Sequence, residues 1–133
     1  MLHSKLRQRL EREEGFTLIE LLVVLVIIAV LLAIAVPSYL GFKDRAEKRA
    51  AASNVRAALP SVEAYYSDQS PNSYNGMDVA ALRLIDQGLK LTTVQILNAG
   101  AAFCVHDVQG THNYKFNGTA AGRLAGVTSG TCP

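Results

Sequence analysis

Glu20 is the side chain best placed to do chemistry in this chain. It lies in a stretch, residues 16–36, whose only other polar residue is Thr17. A carboxylate inside so apolar a segment costs about 2.5–3.5 kcal/mol on membrane-insertion scales and needs a partner. The stretch holds no Lys, Arg or His. Either the acid reaches back to the nearby membrane face, or its partner comes from another chain. Cys104 and Cys132, both near the C-terminus, can form a disulfide if that end of the chain is exported. Two free thiols are the alternative wherever folding outside the membrane is not oxidative. His106, Asp107 and His112 suggest a metal site, but they straddle a turn and lack a further ligand at fixed spacing. They read as surface polar residues. Asn117-Gly118-Thr119 fits a glycosylation acceptor pattern, and its Asn-Gly pair fits a hairpin turn. No Ser/His/Asp or Cys/His arrangement stands out, so no enzyme, metal or cofactor is expected.

The elements that must position these residues follow from composition. The chain has 133 residues, half of them hydrophobic, with a formal net charge of +2 and no Trp. That balance gives no case for nucleic-acid binding, which calls for a strongly basic face. Residues 1–15 are charged, without an apolar stripe. Residues 16–36 would cover roughly 30 Å as a helix, the hydrocarbon thickness of a bilayer. That is longer than the apolar core of a signal peptide, and it ends in Pro37-Ser38 without a small-residue cleavage site. It reads as a membrane span, with a buried core helix as the alternative. Residues 38–59 are rich in Ala, Lys, Arg and Glu, which favour helix. Apolar positions recur at helical spacing at Leu40, Ala46 or Ala50, Val55, Leu59 and Val62.

One helix over residues 16–66 would be ~75 Å long. Pro37 and Gly41 are expected to kink it, since proline removes a helical hydrogen bond, and Pro60 to kink it again. A loop follows over 67–77, then a short helix capped by Asp78 and stopped at Gly88. Residues 91–97, 101–108 and 114–117, with 124–128 as a fourth candidate, read as strands between turns at 98–100, Gly110 and Asn117-Gly118.

Glu14-Gly15-Phe16-Thr17-Leu18-Ile19-Glu20, heading a long apolar helix, resembles the cleavage and assembly motif of type IV pilins and pseudopilins. The likeness extends through Pro37 and the charged helix behind it. It implies an α+β pilin fold: a long N-terminal helix, membrane-spanning in its first half and amphipathic in its second, packed against a small antiparallel sheet. It implies a cytoplasmic leader over 1–15, a transmembrane and filament-core helix over 16–37, and a head over 38–133. A prepilin peptidase would cut between Gly15 and Phe16 and methylate the new amine of Phe16. Glu20 would pair with the N-terminal ammonium of Phe16 in a neighbouring subunit, because a charge pair in low dielectric is favourable only if both ends meet.

The implied partners are further copies of the chain in a helical filament, the peptidase, the inner membrane before assembly, and the assembly platform with its motor ATPases. Cys104–Cys132 resembles the C-terminal disulfide loop of many type IV pilins. The positive-inside rule does not orient the span, because Lys5, Arg7, Arg9 and Arg12 before it balance Lys43, Arg45, Lys48 and Arg49 behind it. A cytoplasmic leader, an external head and a final extracellular or cell-envelope filament follow from the resemblance alone.

Two rivals remain. One is a pseudopilin of type II secretion or DNA uptake. Many secretion pseudopilins carry a calcium site in their last loop, and no Asp or Glu follows Asp107 here. The other is a membrane-anchored binding module that never polymerises, against which Glu20 argues if an isolated span gains nothing from the acid.

Overall fold

The computed structural model describes residues 15–133. The leader expected over 1–15 therefore lies, apart from Gly15, outside the described residues. The chain divides into two units, one ending at Gly41 and the other spanning Phe42–Pro133. One helix, α1 (Leu18–Asp68), contributes residues to both and runs through Pro37, Gly41 and Pro60.

The first unit holds the apolar part of α1. That part is long and apolar enough to cross a membrane, and none of it is buried. Leu22, Leu25, Leu31 and Ile34, which point in different directions around the helix, are all more than half exposed. Apolar surface on every side of a helix finds its partner in lipid or in other apolar helices.

The second unit is the α+β head. After α1 come α2 (Val79–Ile85), β1 (Thr93–Leu97), a 3-10 turn at Asn98–Gly100, β2 (Ala102–Gln109), β3 (His112–Asn117), α3 (Ala120–Ala125) and β4 (Val127–Ser129). The four strands form one antiparallel meander in the order β1-β2-β3-β4. Alternation along β2 sends Phe103, Val105 and Asp107 to one face and Cys104 and His106 to the other. The first face packs on Val55, Ala58 and Val62 of α1, with Leu82, Leu89, Leu91, Tyr74 and Met77 completing the core. Fully burying residues such as Phe103, Leu82, Val55 and Val62 contributes about 1.5–3 kcal/mol each. Phe103 is the hub: its ring lies 4.8 Å from that of Tyr74 and 5.9 Å from that of Phe116.

The buried line of α1 is Ala51, Ala52, Val55, Ala58, Ser61 and Val62. The expected positions Val55 and Val62 lie on it and Leu59 packs against its edge, but Leu40, Ala46 and Ala50 are exposed.

The short helix has its expected N-cap, Asp78, but ends at Ile85, before the expected stop at Gly88. Asp78 accepts a hydrogen bond from the Ala81 amide at 2.7 Å, and the chain leaves the helix at Asp86, whose carboxylate takes the Gly88 amide at 2.9 Å. The C-terminal region differs from expectation. Leu124 lies in α3 rather than a strand, and β4 begins only at Val127. Thr119 caps α3 by accepting from the Gly122 amide at 3.2 Å, and Gly126, with φ 69°, ends it. Asn117-Gly118 is not a hairpin turn: it leads from β3 into α3, with the Asn117 side chain accepting from the Thr119 amide. Gly118 is required by crowding, since a Cβ there would collide with the Phe103 ring. The β2–β3 hairpin turns at Gly110, as expected, with φ 57°.

Candidate functional site

Residues 15–17 precede the first turn of α1 and are not helical. Gly15 and Phe16 are exposed, Phe16 at 83%. A Cβ built on Gly15 meets nothing within 4 Å. No packing among the described residues therefore demands glycine there.

Thr17 and Glu20 form a reciprocal cap. The Glu20 carboxylate accepts from the Thr17 amide and from the Thr17 hydroxyl, both at 2.8 Å, and Thr17 Oγ1 accepts from the Glu20 amide at 3.2 Å. This capping box satisfies backbone donors that have no partner within the helix. It also places the acid in the first turn, at the positive end of the helix dipole. Glu20 thus has a partner within its own chain, which corrects the expectation that an isolated span gains nothing from it. The signal was present in the sequence as Thr-x-x-Glu.

In the head, the structure brings Cys104 and Cys132 together as a disulfide with a Cα–Cα distance of 5.8 Å. It fastens the C-terminal tail to the outer face of β2. The Lys115 ammonium donates to the Thr131 carbonyl at 2.8 Å and holds the same tail.

His106, Asp107 and His112 do not converge. Asp107 is 3% exposed, so it is not a surface residue. It accepts from the Asn54 amide group at 2.7 Å, the Gln109 amide group at 2.9 Å and the Thr92 hydroxyl at 3.1 Å. These bonds tie α1 to β2 and to the segment before β1. His112 is 2.6 Å from Asp44 of α1. The Lys48 ammonium, 2.9 Å away, and His112 together hold the Asp44 carboxyl below its ordinary range, Lys48 being the larger cause. Burial pushes the Tyr74 phenol up, and the Glu63 charge adds to that.

The N-terminal segment matches the family model for the prokaryotic N-terminal methylation motif over residues 11–36. The type IV wide pilus major component of Thermus thermophilus is 38% identical over 97 residues, covering 69% of this chain and 70% of that protein. The chain belongs to the type IV pilin and pseudopilin family. The type II secretion system core protein G of Dickeya chrysanthemi is 38% identical over 68 residues, and the type IV major pilin protein of Myxococcus xanthus is 38% identical over 58. The chain spans only 44% and 26% of those two proteins' lengths. No solved structure matches the chain at comparable significance.

Proposed function

We propose that this pilin-family chain is the structural subunit of a type IV pilus or pilus-like filament and has no catalytic role. It is held in the cytoplasmic membrane as a single-pass precursor and cut between Gly15 and Phe16 by a prepilin peptidase. That enzyme then methylates the Phe16 amine. An assembly platform driven by motor ATPases moves the subunit from the membrane into the filament. There the apolar part of α1 packs among other copies and the heads face outward. Glu20 meets the Phe16 ammonium of a neighbouring copy and sets the axial register, and Pro37 and Gly41 provide the bend between core helix and head. The observation that carries this reading is the exposed, all-round apolar surface of α1 directly behind Gly15-Phe16-Thr17-Leu18-Ile19-Glu20.

A second reading, a pseudopilin of a secretion or DNA-uptake system, is favoured by the similarity to core protein G of the type II secretion system. In that case the filament would stay within the envelope.

The test separates the two roles of Glu20. Glutamine also serves in a capping box, so Glu20→Gln keeps the helix start and removes the charge. A filament subunit with this change stays processed and membrane-bound but yields little sheared filament. Wild-type filament yield from Glu20→Gln contradicts the inter-subunit charge pair.

A further inference from the structure

We propose that the collar of α1 from Phe42 to Arg49 docks on anionic phospholipid headgroups of the bilayer that holds residues 16–36, through Lys43, Arg45 and Arg49. The inference rests on the reading of residues 16–36 as a membrane span and adds the class of lipid that the precursor selects. Tyr39 and Phe42 follow Val36 within six positions and are 64% and 66% exposed. A tyrosine just past a span settles at headgroup level. Continuing as α1, the chain rises about 9 Å from Val36 to Phe42, roughly 13 Å to Arg45 and roughly 20 Å to Arg49. The headgroup layer on one side of a bilayer is roughly 5–8 Å deep. Helical side chains lean toward the N-terminus, here toward the span. Lys43 and Arg45 therefore reach the headgroups, and Arg49 comes within about one Debye length, ~8 Å, of them.

The directions of these side chains fit a surface that surrounds the helix. At 3.6 residues per turn Phe42, Lys43 and Arg45 spread over about 160° of its circumference. The other side is taken by the head itself: Asp44 and Glu47 are half-buried, Asp44 against His112 and Glu47 against Gly110. A bilayer surface meets every outward side chain at its level, whichever way that side chain points. Both acids of the collar are already engaged, Glu47 with Lys43 at 3.6 Å and Asp44 with Lys48 at 2.9 Å. Arg45 and Arg49 are exposed and make no ion pair among the described residues. The positive excess of the collar is therefore two guanidinium groups, at the level where lipid phosphates lie. Each cation near an anionic leaflet strengthens the attraction about fivefold. Arg56, also exposed, lies about 30 Å beyond Val36 and is screened from the membrane.

The test uses the full chain reconstituted in phosphatidylcholine vesicles, with Ile34→Trp near the head end of the span as a fluorescent reporter. The chain has no other Trp, and Ile34 is 71% exposed. Quenching of the reporter by brominated phosphatidylglycerol is compared with quenching by brominated phosphatidylcholine at equal mole fraction. The anionic lipid should be preferred about fivefold or more at low salt. The preference should vanish in about 1 M salt, where the Debye length falls to about 3 Å. R45Q/R49Q should bring the two lipids to within about twofold of each other, whereas R56Q should keep the full preference. Equal quenching by both lipids in the chain that keeps Arg45 and Arg49 overturns the proposal, and that outcome needs no arginine variant to fold. A preference that R45Q/R49Q leaves intact, or that high salt does not remove, overturns it as well. So does a preference lost equally in R56Q, which assigns the arginines to another partner. A reporter that neither lipid quenches fails the membrane-span reading itself.

Discussion

Cys132→Ser isolates what the C-terminal staple contributes. Cys104 is fully buried on β2, whereas Cys132 is half-buried in the tail, so this change opens the bond without disturbing the packed partner. The disulfide joins residues 28 apart in sequence. In the chain-entropy model a loop of that length is worth about 3.5 kcal/mol, mainly by restricting the unfolded chain. The tail has little else to hold it. β4 is a three-residue strand at the sheet edge, supported by the Lys115 bond to Thr131 and the Gly130 amide bond to the Asn113 carbonyl. With a urea slope of roughly 1.5 kcal/mol per M, the loss should lower the unfolding midpoint of the head by about 2 M. The assay is urea unfolding of the full chain in detergent, followed by tyrosine near-UV dichroism, which reports on Tyr66 and Tyr74, whose tilted rings have centroids 4.6 Å apart. Reducing the wild type should reproduce the shift. A midpoint lowered by less than about 0.3 M would show that the unfolded loop is already closed by other means, and the entropic reasoning would fail.

Three other perturbations probe the head. Phe103→Ala empties the hub between Tyr74 and Phe116 and should cost about 3–5 kcal/mol in the same unfolding assay. Asp107→Ala leaves the Asn54, Thr92 and Gln109 donors without their acceptor and should cost about 2 kcal/mol, whereas Asp107→Asn, which keeps one acceptor oxygen, should cost less. Asp44 has a folded pKa below its ordinary value, so its contribution is full above ~pH 4, its unfolded pKa, and is lost as pH falls through the lower folded value. The stability gap between wild type and Asp44→Asn should be present at neutral pH and close in strong acid; a gap that persists there contradicts the ion-pair account.

The sequence disclosed those features that local chemistry specifies. Ala, Lys, Arg and Glu made the helix behind Pro37 readable, and β-prone runs between turn residues made three strands readable. Asp78 was visible as a cap because its side chain serves a backbone amide three residues away. The same rule marks α3, with Thr119 before it and Gly126 after it, but Leu124 and Val127 together look like one apolar run in sequence. Thr17 and Glu20 show a different difficulty. Thr-x-x-Glu spells out their capping box, while the apolar surroundings of Glu20 point as readily to a distant partner. Asp107 could not be placed from sequence, because Asn54 is 53 residues away and only the packing of α1 on β2 brings them together. The Asp44–His112 pair spans 68 residues and depends on where the hairpin turns at Gly110.

The most direct test of the central claim is the intact mass and N-terminal sequence of protein sheared from the cell surface. A processed filament subunit begins at an N-methylated Phe16, is two hydrogens light for the Cys104–Cys132 bond, and is abundant in the sheared fraction. Processed chain confined to the envelope selects the pseudopilin reading. A chain that still begins at Met1, in a host that makes the peptidase, contradicts the account.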